Sequence, residues 1–451
     1  MSLTVLETIP ADLIALVEAL RDKLHDSEFV ARHRVRTEDF TRHRQLTFPV
    51  VMLFVLQKTV KSIHRHLVEF LDELCQGQRP QTPTTGAWTH ARAKLKHTAF
   101  IELNQQVVLP ALNRQTKPIK RWRGHRLFGH DSSLVRLPDT PELAQEFGRV
   151  EVHNHRGATG TAYAQGRMSV LYDLLNRVGM DARLEPSKVG EVALAIQQSA
   201  HVPVGEIVLN DRGFTGYRYV AEHVRRGVHV VGRCSTGSFL AAQEMFRLNC
   251  GGQSKVAKIF APRQERAELA ALGLPLELVV RFVSLRLPDG KLEVLLTTLL
   301  DEGLYPTEEF LDVYHYRWNH ETFYNVLKGR LELENFSGET AEAIRQDFHA
   351  AVLLCSLESL LIRPAQNVVE QSPQGTKHPQ KLNQADAYHA LKMELLQLLY
   401  SQTPAVEVIR RLQCLFVANP MSVPVNRKVP RRTPSFHRSY HFQRRVKKIV
   451  F

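Results

Sequence analysis

Leu304–Gly329 reads LYPTEEFLDVYHYRWNHETFYNVLKG. Thr307 has the short hydroxyl side chain that caps helices, Glu308 and Glu309 follow in the first turn, and Gly329 suits a C-terminal end. The spacing therefore predicts one uninterrupted helix of roughly 22 residues. At about 100° per residue, Tyr314, Arg317, Glu321 and Lys328 fall within about 60° of one another and form one polar stripe. Val313, Tyr316, Phe323 and Leu327 share a sector roughly 100° away, where the helix is expected to meet a core. Trp318 lies beside the stripe. Taken alone, such a stripe describes a solvated helix face.

The pattern Tyr-x2-Arg-x3-Glu-x6-Lys nevertheless specifies four residue types, and at ordinary usage it arises by chance roughly 0.003 times in a chain of this length. It resembles the YREK signature of bacterial insertion-sequence transposases of the DDE type, in the branch called the IS-four family; Trp318 directly after the Arg is similar as well. The resemblance implies that Glu321 is the third catalytic carboxylate and that two aspartates precede it on strands. It also implies that Tyr314, Arg317 and Lys328 contact phosphates at the transposon end. Trp318 is then either a stacking platform for a displaced base or a rim residue.

Composition agrees with a nucleic-acid partner. The chain has 451 residues, 43% of them hydrophobic and 23% charged, which is ordinary for a globular protein of two or three domains. Its net charge of +13 favours polyanions. From Met421 to Phe451 there are nine Lys and Arg (Arg427, Lys428, Arg431, Arg432, Arg438, Arg444, Arg445, Lys447, Lys448) and no acid. Phe436, Tyr440, Phe442 and Phe451 are interleaved, so this tail is suited to phosphates and bases or, more simply, to solubility. Cys75, Cys234, Cys250, Cys355 and Cys414 are scattered without a C-x2-C pair, which predicts free thiols and no zinc site. No signal peptide is expected, and the apolar run Phe48 to Leu56 is about half of a membrane span. The expected setting is the cytoplasm, at the nucleoid.

Residues 1 to about 115 read as helical. The periodic stretch from Ile9-Pro10 to Leu24 predicts a first helix, and Pro49 starts a second that runs through Phe54, Val60, Leu67 and Leu71. After a Gln/Pro/Thr-rich connector, Ala87–Leu95 and Ala99–Leu112 form either a helix-turn-helix or a plain packing hairpin. The cluster Arg32, Arg34, Arg36, Arg42 and Arg44 is likewise either solvated or DNA-facing. Members of the family carry an N-terminal helical domain that binds the element's ends, so the resemblance implies DNA contact here.

From Lys117 the texture changes. A basic run leads into Leu127–Asp131, an apolar segment that terminates on an acid; Met168–Leu174 and Val178–Leu184 predict a hairpin around Leu175-Asn176-Arg177. Glu191–Ala200 reads as a helix, Glu206–Asp211 as a strand ending on an acid, Gly216–Arg226 as a helix and His229–Gly232 as a strand. This order resembles the ribonuclease-H-like α/β core. Val256–Ile259 and the hairpin turning at Asp289-Gly290 then predict a small β subdomain, and the family carries such an insertion between its second Asp and its Glu. Thr340 caps a further helix to Leu361, residues 364–384 read as an exposed connector, and Ala385–Leu415 is helical again.

Two motifs supply the aspartates. His130-Asp131-Ser132-Ser133 loosely resembles the family's first segment, with Ser132 where many members have Gly or Thr. Asp211-Arg212-Gly213-Phe214 closely resembles its D-R-G-[FY] segment, which adds Arg212 to the DNA-facing candidates. Three carboxylates repel one another unless cations offset them, and hard oxygen donors suit Mg²⁺ or Mn²⁺. Two such ions per site serve in-line displacement at phosphorus. His125, His130, His153 and His155 lack ligand spacing and read as phosphate-facing or packed.

The expected architecture is a helical DNA-binding domain (1–116), a ribonuclease-H-like catalytic core (117–363) with a β-rich insertion (about 234–303), and a helical C-terminal region with a basic tail (364–451). The expected activity is metal-dependent cleavage and strand transfer at insertion-sequence ends by a homodimer on double-stranded DNA, with a hairpin intermediate in several family members. The rival readings are a non-catalytic DNA-binding relative and a metal-dependent nuclease on the same core.

Overall fold

The computed structural model describes residues 9–42, 44–59, 61–77, 81–115, 118–150, 162–371 and 378–423. The chain forms two units, one from residues 1–119, 136–165 and 327–451, the other from 120–135 and 166–326. His153, His155 and nearly all of the basic tail lie outside the described residues.

A mixed sheet organises the second unit. Apart from a two-residue strand, Arg149–Val150, its strands in chain order are β1 (Leu127–Arg136), β2 (Tyr163–Asp173), β3 (Val178–Pro186), β4 (Ile207–Asn210), β5 (His229–Arg233), β6 (Gln253–Phe260), β7 (Glu277–Arg286) and β8 (Leu292–Thr297). Across the sheet they run β3-β2-β1-β4-β5-β8-β7-β6. The β2–β3 hairpin turns where expected: Arg177 takes φ 62, and the Asp173 carboxylate accepts the Leu175 and Asn176 amides. β1, β4 and β5 are parallel neighbours, which requires crossovers. The helices Glu191–Gln198 and Tyr217–Arg225 supply them. A β3-β2-β1-β4-β5 order, with the first three strands meandering and the last two parallel to β1, is the ribonuclease-H-like fold. The face that carries Phe128, Val208 and Val230 is covered by two adjoining clusters, Phe128, Leu171 and Val208 in one and Ala195, Phe214, Tyr219 and Val230 in the other.

The insertion differs from the expected subdomain. β8 pairs antiparallel with β5, Val231 opposite Thr297, and β7 and β6 follow outward, so the insertion continues the same sheet. Its inner side joins Tyr217, Val220 and Ala221 of the crossover helix to Val280, Phe282 and Leu296 in one core, which leaves no separate interior to define a subdomain.

The Leu304–Gly329 stretch is helical but not one helix. A 3₁₀ turn (Thr307–Glu309) precedes α-helix Phe310–His315, and a second α-helix, Trp318–Asn325, passes into a π-turn at Val326–Arg330. Thr307 does not cap it; its hydroxyl donates to Glu302 Oε1 and accepts from buried Arg281. Between the α segments, the amides of Tyr316, Arg317, Asn319 and His320 bond three residues back. Each such tight step advances the chain by about 20° more than an α step. The faces rotate accordingly: Tyr314 and Arg317 are buried at 6% exposure each, whereas Tyr316, expected in the core, is 38% exposed.

The first unit is helical. Its central helix, Ala341–Leu361, is capped by Thr340 as expected and is buried on nearly all sides, with the helices Phe48–Leu56 and Thr98–Leu103 against it. Arg92 enters that core, donating to Gln346 Oε1, Ala343 O, Ser337 Oγ and Asp347 Oδ1. The helix expected to run from Pro49 to Leu71 is instead broken: Phe48–Leu56 ends, and Ser62 caps a new helix, Ile63–Leu74, by accepting the Arg65 amide. Part of the expected 364–384 connector is helix, Arg363–Gln371, burying Pro364, Ala365 and Val369. Among the described residues no single helix is long and apolar enough to cross a membrane.

Candidate active site

Register brings the two aspartates together. His130 of β1 pairs with Asn210, the last residue of β4, so Asp131 and Asp211 follow side by side on parallel neighbours. Asp211 leaves the sheet and accepts the Arg212 amide at 2.7 Å, starting the Arg212–Phe214 turn. β1 does not terminate on Asp131, as the sequence suggested, but continues to Arg136. It is the four-residue β4 that stops, and Asp131 thereby sits beyond the last β1–β4 pair. Alternation sends Gly129 and Asp131 to one face of the sheet and His130 to the other.

The helical stretch carrying Glu321 lies on the Asp131 face. A Cβ built on Gly129 would meet His320 Nδ1 at 2.8 Å, so only glycine permits this approach. Three side chains fasten the stretch to the backbone of the sheet. Tyr314 Oη donates to the carbonyl of Asn210 at 3.1 Å, and Tyr324 Oη donates to the carbonyl of Asp131 at 2.8 Å while accepting the Val170 amide at 3.2 Å. Asn319 Nδ2 donates to Leu174 O at 2.9 Å. The two tyrosines flank Glu321 in sequence and bind the residues that precede or carry the two aspartates.

The charges are arranged around this junction. Burial pushes the Asp131 carboxyl up to about 6; Asp211 and Glu321 push the same way, against the Ser132 amide and Arg317. Burial also raises Asp211, but the Arg212 amide, Arg317 and Arg233 outweigh it and hold that carboxyl below its usual range. Two guanidinium groups take up the acids directly: Arg317 Nη2 lies 2.9 Å from Glu321 Oε1, and Arg233 Nη2 lies 2.7 Å from Asp211 Oδ1.

The other residues singled out from sequence have the following surroundings. Arg317 is eclipsed with Tyr314 and beside Trp318, its guanidinium carbon 5.7 and 5.6 Å from the two ring centres. Tyr314 is buried, which raises its phenol pKa, and its hydroxyl is committed to Asn210. Trp318 is 41% exposed, and Arg212 is exposed next to Asp211. Lys328 belongs to the first unit; burial lowers its pKa, with Glu334 opposing.

Four participants were not singled out from sequence. Arg233 bridges Asp211 and Glu293 from the end of β5. Glu191 accepts from Ser132 Oγ at 2.9 Å and crowds Gly213, where a Cβ would meet its Oε1 at 2.9 Å. Tyr324 had a visible signal, since it lies one helical turn after Glu321. Tyr219 had none, because it acts from the opposite face of the sheet.

Among the described residues no three His, Cys, Asp or Glu side chains gather as a preformed metal cage. Asp131 and Asp211 are nonetheless neighbours across β1 and β4, and Asp131 feels the charges of Asp211 and Glu321 while burial pushes its carboxyl up to about 6. Carboxylate oxygens are hard donors of the kind that suits a divalent cation, and here Arg233 and Arg317 pair with Asp211 and Glu321.

The description Transposase DDE domain matches residues 122–357, more than half of the chain. The transposase InsG of insertion sequence element IS4 from Escherichia coli (strain K12) is 24% identical over 357 residues, 77% of this chain and 78% of that protein. The cryo-EM structure of the piggyBac transposase synaptic complex with hairpin DNA is similar at a TM-score of 0.43 and 9% identity, over 96% of this chain and 90% of that one.

Proposed function

Because the chain belongs to the DDE-domain transposases, in the IS4-like branch, whose chemistry is phosphoryl transfer on DNA with divalent metal, we propose that it binds the ends of its own insertion sequence and cuts and joins DNA there. The observation that carries this reading is the convergence of Asp131 and Asp211 on adjacent parallel strands under the helix that bears Glu321.

In this reading Asp131, Asp211 and Glu321 hold Mg²⁺ or Mn²⁺, two ions per site. When bound, the metal activates the attacking oxygen and stabilises the leaving oxygen at phosphorus. Arg212, Arg317 and Lys328 meet DNA phosphates, Arg317 by exchanging its Glu321 partner for a phosphate, and that exchange frees Glu321 for the metal. Trp318 presents an exposed ring for base stacking. Tyr314 fastens the helix instead of reaching DNA, since its hydroxyl is held by Asn210. Two ends require two sites, so the working form is a homodimer on double-stranded DNA, at the nucleoid in the cytoplasm.

The test is cleavage of a supercoiled plasmid carrying the gene's own flanks, with Mg²⁺, with chelator, and with Asp211→Asn. Metal-dependent breaks at discrete flank positions, absent in the variant, support the reading, and hairpin-ended products would reveal the intermediate seen in several family members. Discrete binding without cleavage would point to a non-catalytic relative; cutting without positional preference would point to a nuclease.

A further inference from the structure

Beneath the aspartates, on the face of the sheet opposite to Glu321, a buried chain of hydrogen bonds joins their two strands. Tyr219, on the helix Tyr217–Arg225, donates its hydroxyl proton to Asn210 Oδ1 at 2.8 Å. The Tyr219 hydroxyl oxygen lies 2.6 Å from His130 Nδ1. A phenol has one proton to give, and Asn210 takes it, so the imidazole donates Nδ1–H to the phenol oxygen. His130 and Asn210 are register partners and immediately precede Asp131 and Asp211. Tyr219 and Asn210 are fully buried and His130 is 2% exposed.

This chain is not what packing alone would select. His130 Nε2, Asn210 Nδ2 and the neighbouring His223 Nε2 are buried without partners among the described residues, so the cluster gives up stability that an apolar filling would keep. What it supplies is geometry. β4 ends at Asn210, and no further backbone pairing with β1 sets the direction in which Asp211 departs. The backbone of Asn210 is held from one face by Tyr314 and its side chain from the other by Tyr219.

We infer that Tyr219 is a positioning residue for the aspartate pair: it fixes the separation of Asp131 and Asp211 by spanning the residues before them. The inference rests on the reading in which these aspartates hold a divalent cation. Removing an outer partner of a metal-binding group typically costs about tenfold or more in metal affinity.

The experiment is Mn²⁺ binding to the metal-free full chain, followed by the paramagnetic resonance of free Mn²⁺, with the fold of every variant checked by thermal melting. The wild type should bind and Asp211→Asn should not. Tyr219→Phe should bind about tenfold more weakly. Asn210→Ala, which removes the acceptor yet keeps the backbone carbonyl, should match it and serves if Tyr219→Phe does not fold; the double variant should be no weaker than either. Tyr217→Phe is the control. It deletes a hydroxyl on the same helix that donates to Pro275 O, and it should keep wild-type affinity. Wild-type affinity in Tyr219→Phe, or an equal loss in Tyr217→Phe, overturns the positioning role. Failure of the wild type itself to bind Mn²⁺ overturns the metal reading beneath it.

Discussion

Tyr324 Oη donates to the carbonyl oxygen of Asp131 at 2.8 Å, so the helix that bears Glu321 is tied to the strand position that bears the first aspartate. The bond is to backbone, which makes the distance between helix and strand independent of the carboxylate's own rotamer. The same hydroxyl accepts the Val170 amide and thereby spans β1 and β2.

Tyr324→Phe is therefore expected to cost about 1–3 kcal/mol of stability, because it leaves a buried amide and a buried carbonyl short of a partner. Plasmid cleavage should fall by about tenfold or more while DNA binding persists. Urea unfolding and the cleavage assay check the two separately; unchanged cleavage would show that the tie does not govern the site.

Gly129→Ala would place a methyl 2.8 Å from His320 Nδ1 and 3.1 Å from Leu174 Cδ2. His320 is 1% exposed and has no room to withdraw. The helix must lift, at about 1–3 kcal/mol. Thermal melting should show the loss, and cleavage should fall with it.

Asp131 links the candidate site to pH. Its folded carboxyl is raised to about 6 from 3.8, mainly by burial, so between those values the folded chain holds a proton that the unfolded chain has released. That stabilisation is complete below about pH 4 and lost by about pH 6. In chelator at pH 7.5, Asp131→Asn should therefore be more stable than wild type, by on the order of 1–3 kcal/mol, and the difference should vanish near pH 4. Mg²⁺ should raise the wild-type Tm and leave the variant's unchanged, which calorimetry reads directly.

Two buried histidines act with the opposite sign. Burial lowers His223 to about 4 and His349 to about 3, from 6.5. As pH falls below 6.5 the unfolded chain takes up protons that the folded chain refuses, and each residue removes roughly 1.4 kcal/mol of stability per unit until its folded pKa is reached. Urea midpoints measured from pH 7.5 to 5 should fall, with a shallower slope in His349→Gln.

In the helical unit, Asp347 is fully buried; burial would raise its carboxyl, but Arg92, Lys58 and the Ser337 amide hold it below the usual range. Arg92→Ala deprives it of its closest cation and should cost about 3–5 kcal/mol. A loss under about 1 kcal/mol in urea unfolding would mean that Lys58, 3.8 Å away, suffices.

What depends on near neighbours along the chain is legible in the sequence. The order of strands and crossover helices, the turns at Arg177 and Gly290, the Thr340 cap and the placing of Asp131 and Asp211 at or beside strand ends all follow from alternation, turn chemistry and capping, which act over a few residues. Tertiary structure alone decided the phase of the helix that carries Glu321. Periodicity assumed a uniform 100° step, but the bonds from Tyr314 to Asn210 and from Tyr324 to Asp131 anchor both sides of a tightened turn at Tyr316–Arg317. That turn buries Tyr314 and Arg317 and exposes Tyr316. Likewise, the insertion joins the main sheet because the outer edge of β5 is open to it, and Arg233 meets Asp211, and Tyr219 the residues preceding both aspartates, from elements whose local patterns carry no mark of these contacts. Those contacts join residues far apart in sequence, and only the closed fold brings them within bonding distance.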